Sequence, residues 1–229
     1  MTQPELVIFD CDGVLVDSEI IAARVEADLL TEAGFPITAG ELAESYAGLT
    51  FTDILLRIEE QAKIPLQASL ISQAEALVDR RLMNEVRAIE GAYEAAAGVT
   101  VKRCICSNSN SLRLEMMLGR TNLLPLFAGR LFSSLETPSA KPKPAPDVFV
   151  HAAATLGVEP AHTFVIEDSV HGVTAAKAAG MRVIGFTGAS HSYPGHADVL
   201  TEAGAETVIR RWADFHGVLA ALSEWSEDA

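Results

Sequence analysis

The chain has 229 residues, 49% of them hydrophobic, with 31 acidic against 17 basic side chains and a formal net charge of −14. So acidic a molecule repels phosphate backbones and anionic headgroups, which argues against a nucleic-acid or membrane partner, and the apolar fraction argues against disorder. The length suits one main domain carrying a smaller insert, and the odd set Cys11, Cys104 and Cys106, without CxxC spacing, reads as buried thiols rather than a disulfide framework or a thiolate metal site.

Met1-Thr2-Gln3-Pro4-Glu5 lacks a basic leader region, and no apolar stretch reaches transmembrane length, so a cytoplasmic protein is expected. The first predicted element is a buried strand, Leu6 to Phe9, that runs into Asp10-Cys11-Asp12-Gly13. Side chains two apart on a strand share a side, so Asp10 and Asp12 face one site at the sheet edge. Two neighbouring carboxylates repel unless a cation, a proton or a reaction uses both; a solvated strand-to-loop corner is the plainer alternative. Cys11, between two acids, reads as a small buried side chain, because nearby negative charge opposes thiolate formation.

From about Ile20 to Val86 helical periodicity replaces strands. Leu29, Leu30 and Ala33 mark one helix, Ile54, Leu55 and Ile58 a second, and Leu70, Ile71, Ala74, Leu77 and Val78 a third. Beyond it, strands are predicted over Val101 to Cys106, Arg130 to Ser133, Thr163 to Ile166, Arg182 to Phe186 and Glu206 to Ile209. Helices over Ser111 to Thr121, Pro146 to Leu156 and Val170 to Ala179 alternate with them, each closed soon after by Gly or Asn. This rhythm predicts an α/β fold with a doubly wound parallel sheet, its core over 1–16 and 87–229. An all-helical cap domain over 17–86 would lie across the site as a lid.

Three further clusters fall at the edge where strands of such a sheet emerge. Ser107-Asn108-Ser109-Asn110-Ser111 joins a strand to a helix and offers a hydroxyl and helix amides to an anion, as well as ordinary capping. In Lys141-Pro142-Lys143-Pro144-Ala145-Pro146-Asp147 the prolines stiffen the backbone around two lysines, which in so acidic a chain suggests more than a solvated basic loop. Glu167-Asp168-Ser169 repeats the pattern of apolar strand followed by acids, so Asp10, Asp12 and Asp168 can supply the oxygen ligands that Mg2+ takes; helix capping is the plainer alternative.

Together these groups describe phosphoryl transfer through an aspartyl-phosphate. Asp10 would attack phosphorus, Asp12 would act as acid and then base, and the metal and a lysine would offset the repulsion between carboxylate and phosphate. His191 and His196 flank a turn-forming Ser192-Tyr193-Pro194-Gly195 and read as surface-loop residues rather than metal ligands.

Asp10-Cys11-Asp12-Gly13-Val14-Leu15-Val16-Asp17-Ser18-Glu19, Ser107-Asn108, Lys143-Pro144-Ala145-Pro146-Asp147 and Glu167-Asp168-Ser169-Val170-His171-Gly172 resemble, in order, the four motifs of the haloacid dehalogenase superfamily. The resemblance extends to its beta-phosphoglucomutase-like branch. It implies a Rossmann-like core with a helical cap, and a Mg2+-dependent phosphatase acting on a small phosphorylated sugar or sugar acid, 6-phosphogluconate-like. It also implies Asp10 as nucleophile and Asp12 as acid and base, with Ser107, Asn108 and Lys143 binding phosphate. Mg2+ would be held by Asp10, the Asp12 carbonyl and Asp168, with Glu167 a weaker ligand or a support.

Asp12 and Asp168 argue against a dehalogenase. Gly48-Leu49-Thr50-Phe51-Thr52-Asp53 looks like the family's cap loop, which marks Gly48 and Thr50 as substrate contacts. Phe51 stands where a mutase is expected to carry a phosphate-gripping arginine, so phosphatase is preferred unless Arg80 or Arg81 reaches the site. A non-catalytic phosphate-binding module would have no need of both Asp10 and Asp12.

Overall fold

The computed structural model describes residues 4–46, 50–62 and 69–224. Six parallel strands form one sheet: β1 (Leu6–Phe9), β2 (Lys102–Ser107), β3 (Leu131–Ser133), β4 (Thr163–Glu167), β5 (Arg182–Phe186) and β6 (Thr207–Ile209). Their order is β3-β2-β1-β4-β5-β6, so the chain reverses its direction of travel across the sheet beside β1. Ligand crevices open at the carboxyl ends of strands around such a reversal. Phe9 is in register with Ile105 of β2 and Ile166 of β4, which brings the residues after β1, β2 and β4 to one point on the edge.

All four β1 side chains are fully buried because helices cover both faces. Val7 and Phe9 point into one layer with Ile105, Phe164 and Ile166, against α5 (Ala92–Ala97), α6 (Ser111–Arg120) and α11 (Phe215–Glu224). Phe9 packs its ring edge-on to Phe127 of α7 (Leu124–Phe127) and beside Trp212 and Phe215, with centroids 5.7 to 5.8 Å apart. Leu6 and Ile8 point the other way, with Cys104, Cys106 and Val165, against α8 (Asp147–Leu156) and α9 (Val170–Ala178). Each such side chain contributes about 1.5–3 kcal/mol on burial. All three cysteines are buried free thiols, as expected.

Between β1 and β2 come α1 (Glu19–Glu32), α2 (Ala39–Ser45), α3 (Phe51–Ala62) and α4 (Ser69–Glu85). Helix α1 has two apolar faces. Ala23, Ala27 and Leu30 meet Leu42, Ile54, Leu55 and Ile58 in a separate small core, whereas Ile21, Val25 and Leu29 join α4 through Ala74, Val78 and Leu82. The sequence reading has three helices here and misses α2, whose capping box pairs Thr38 Oγ1 with the Glu41 amide and the Glu41 carboxylate with the Thr38 amide. The chain leaves and rejoins the α/β layer side by side: the Asp17 amide donates to the Arg87 carbonyl at 3.0 Å and the Ile89 amide to the Leu15 carbonyl at 3.0 Å. No helix among the described residues is long and apolar enough to cross a membrane.

Candidate active site

Asp10 follows β1 directly, and its amide donates to the Ile166 carbonyl of β4, so the carboxylate is fixed at the centre of the sheet edge. Lys143, on the proline-stiffened segment before α8, has its ammonium buried beside it. Nζ donates to Asp10 Oδ1 at 2.6 Å, to Glu167 Oε1 at 2.5 Å and to the Cys106 carbonyl at 2.7 Å, which uses all three of its protons. Asn108 positions this segment: its Oδ1 accepts from the Lys143 amide and from Ser134 Oγ, each at 2.9 Å.

Asp12 points away from that cluster. Its Oδ1 accepts from Ser18 Oγ at 2.7 Å, and its Oδ2 from Ser109 Oγ at 2.8 Å and Ser107 Oγ at 3.2 Å. One carboxylate therefore faces an ammonium and the other faces three hydroxyls. At the head of α6 the Ser111 amide is taken by Glu136 and the Arg113 amide by Asn110 Oδ1, so both serve as capping bonds.

Oxygen atoms of Asp10, Glu167 and Asp168 lie within 4.8 Å of one another, and all three residues are buried. Burial raises the Asp10 carboxyl well above its ordinary range; Lys143 opposes this, while Glu167, Asp168 and Asp12 add to it. Glu167 is raised for the same first reason. Burial alone would lower Lys143, but Asp10 and Glu167 outweigh it and hold the ammonium charged. Three carboxylates around one ammonium leave an excess of negative charge, and an all-oxygen donor set of this size fits a hard cation.

Two glycines make the cluster possible. Gly13 has φ +71°, and a Cβ there would lie 2.0 Å from Asp168 Oδ2; a Cβ on Gly172 would lie 1.9 Å from the Glu167 carboxyl carbon.

The expected surface loop with His191 and His196 is corrected by the structure. His191 Nε2 lies 3.1 Å from Asp168 Oδ2, and His196 is buried with Nε2 2.7 Å from the Asp168 carbonyl and its ring stacked on Tyr193. The loop folds back because the Asp17 carboxylate accepts from both the amide and the hydroxyl of Ser190. Burial opposes protonation of His191, but its hydrogen bond to Asp168 and the charges of Asp168, Glu19 and Asp17 push it up to about 9. Burial lowers His196.

A cavity of about 480 Å³ extends from Asp10 and Asp12 toward α1 and α3. Its walls bring in residues to which the sequence reading assigned no part: Glu19 and Glu26 of α1, Arg113 of α6, and Tyr46. Glu19 stands inside a quoted motif, but nothing local signals the others. Arg113 is held by Asp79 of α4, with Nε and Nη2 each 2.7 Å from Oδ1. Arg81 pairs instead with Asp28 and Glu85, and neither Arg80 nor Arg81 lines the cavity. Thr50 reaches the cavity wall, while its hydroxyl caps α3 by accepting from the Asp53 amide. Gly48 lies outside the described residues.

The family model for haloacid dehalogenase-like hydrolases matches residues 7–186. A 6-phosphogluconate phosphatase of Escherichia coli (strain K12) is 32% identical over 85% of this chain and 87% of its own. Among solved structures, a conserved haloacid dehalogenase-like protein of unknown function from Agrobacterium tumefaciens is 56% identical, with TM-score 0.93 over 96% of this chain and 99% of that one. A haloacid dehalogenase family hydrolase from Deinococcus radiodurans with bound phosphate and sodium is 31% identical, with TM-score 0.84 over the full length of both. The chain is a member of the haloacid dehalogenase-like hydrolase family, of the phosphatase kind.

Proposed function

We propose that the protein is a Mg2+-dependent phosphatase that hydrolyses a small phosphorylated sugar or sugar acid through an aspartyl-phosphate. The observation that carries this reading is the division between the two carboxylates: Asp10 beside the Lys143 ammonium at 2.6 Å, Asp12 among the hydroxyls of Ser18, Ser107 and Ser109. The similarity to a phosphatase named for 6-phosphogluconate supports the substrate class.

In this reading an Asp10 oxygen bonds to phosphorus while the bond from phosphorus to the alcohol oxygen breaks, and Asp12 gives its proton to that departing oxygen. Asp12 then takes a proton from water, which attacks the phosphoryl group and frees Asp10 and inorganic phosphate. Ser107, Asn108 and Lys143 would hold the phosphoryl oxygens, Lys143 by exchanging one of its three present acceptors for a phosphoryl oxygen. Asp10, Asp168 and the Asp12 carbonyl would hold Mg2+, which offsets the charge between carboxylate and phosphate, with Glu167 supporting from its bond to Lys143. The helical insertion over 17–86 is the lid, and its cap loop, with Gly48 and Thr50, meets the leaving group.

Phosphatase is preferred to mutase because Phe51, which opens α3, packs its ring on the helical cores instead of presenting a guanidinium. The test is phosphate release from a panel of sugar phosphates with Mg2+ and with EDTA, while isomer conversion is followed. Metal-dependent release that vanishes in Asp10→Asn supports the reading; release unchanged in that variant overturns it.

A further inference from the structure

Helices α6 of the α/β layer and α4 of the helical insertion meet at the cavity. Ser107 and Ser109, whose hydroxyls face Asp12, lead into α6, and Arg113 in its first turn lines the cavity. Val78 and Leu82 of α4 line it too, and Asp79, between them in sequence, holds Arg113. The lysine and arginine side chains on the described walls are Lys143 and Arg113. Lys143 spends all three protons on Asp10, Glu167 and the Cys106 carbonyl. Arg113 spends Nε and one Nη2 proton on a single Asp79 oxygen, each at 2.7 Å, and its Nη1 has no protein partner among the described residues. A guanidinium carries five N–H donors, so three of them are left for a ligand.

Two turns further along α6, Arg120 fixes the other end of this seam. Its Nε donates to the Val86 carbonyl at 3.1 Å and its Nη2 to the Asn84 carbonyl. Those carbonyls lie at the C-terminal end of α4, where the helix dipole favours a cation. Asp79 is seven residues before Val86, about 10 Å along the helix axis. The end of α4 beside the sheet is therefore pinned, and the Asp79 contact lies out along the lever. With side chains 25% and 51% exposed, the Arg113–Asp79 pair is a weak one, as suits a contact made and broken when a lid moves.

We propose, on the phosphatase reading above, that Arg113 is a specificity-determining residue: Asp79 of the lid aims its guanidinium, and the unspent donors hydrogen-bond an oxygen of the leaving group. Asp79 is the positioning residue. Arg113 belongs to the core and its partner to the lid, so the two align only with the lid down. An ester whose leaving group offers a suitably placed oxygen gains binding energy from that alignment, which orients phosphorus against Asp10; an ester without one gains nothing.

The test measures kcat/KM by phosphate release from glucose 6-phosphate, 6-phosphogluconate and phenyl phosphate, whose leaving group has only the ester oxygen. R113A should lower the faster sugar ester by about tenfold to a hundredfold, the range for a lost hydrogen bond to a charged group, and phenyl phosphate by much less. D79A should lower the same sugar ester by about two- to fivefold. The double variant R113A/D79A should fall no further than R113A alone, because Asp79 acts through the arginine. R113K, which keeps the charge without the planar fork, should fall between R113A and the natural protein. Both side chains are partly exposed, so the variants should keep melting temperatures close to the natural one. Losses of equal size on sugar ester and phenyl phosphate in R113A, or additive losses in the double variant, overturn this inference and leave the phosphatase reading standing. Turnover of phenyl phosphate alone also overturns it. No turnover of any ester overturns both.

Discussion

Residue 13 and Asp168 share space that only a glycine leaves open: a Cβ at position 13 would lie 2.0 Å from Asp168 Oδ2 and 2.8 Å from His191 Cε1. Gly13 also has φ +71°, which costs an alanine about 1–2 kcal/mol on its own. Gly13→Ala must therefore move either the loop that carries Asp12 or the Asp168 carboxylate. A shift of about 1 Å in reacting groups lowers rate roughly 10²-fold. The expected outcome is a loss of that order in kcat with a modest fall in melting temperature. Phosphate-release kinetics beside thermal denaturation check it, and unchanged kcat would show that the loop absorbs the methyl group.

Lys143 is the only ammonium among the described residues that contacts Asp10, and it holds Asp10 and Glu167 together. Removing one partner of a buried ion pair leaves the other uncompensated and costs about 3–5 kcal/mol. Lys143→Met should lose activity and lose stability on that scale. Adding Asp10→Asn should recover part of the stability, because one of the two carboxylates left without their ammonium goes with it, giving a coupling of about 1–3 kcal/mol in a double-mutant cycle. Urea titration of the four proteins measures this; strict additivity would mean that the two groups do not depend on each other.

The sheet and the cluster of acids were legible because their signals are local. Leu6 to Phe9 and Arg182 to Phe186 are apolar runs of strand length, as parallel strands buried on both faces must be, and both strands fall on the residues expected. Helix α2 escaped because seven residues with only Leu42 buried show no 3.6 period; its signal was the Thr38-x-x-Glu41 box. His191 and His196 escaped because turn residues say where a chain bends and not what it bends toward. Contacts with Asp17 and Asp168, far away in sequence, decide that. Arg113 and Glu26 are ordinary polar faces of helices until the fold sets α1 and α6 around one cavity.

Asp10, Glu167 and Asp168 gather negative charge that a cation relieves, so a metal that binds them stabilises the folded chain by mass action. At about a hundredfold excess over its dissociation constant, Mg2+ should add about 2.7 kcal/mol. Melting curves with and without Mg2+ should separate for the natural protein and coincide for Asp168→Asn. EDTA should abolish phosphate release and return the natural protein to its own metal-free melting curve. Equal Mg2+ shifts in both would place the ion away from this cluster.

Glu26 gives stability a dependence on pH. Burial and the nearby Glu19 push its carboxyl up from 4.5 to about 8 in the folded chain, so between those values the folded state holds a proton that the unfolded state has lost. Stability falls with rising pH wherever the folded state binds more protons. This contribution is therefore fully present below about pH 4.5 and declines until the pH passes the folded value near 8. Glu26→Gln removes the titration and keeps the shape. The difference in melting temperature between variant and natural protein should be small at pH 5 and should grow in favour of the variant up to about pH 8, where the folded carboxyl ionises. A difference that stays flat across this range would mean that Glu26 ionises normally, with the α1 wall open enough to hydrate it.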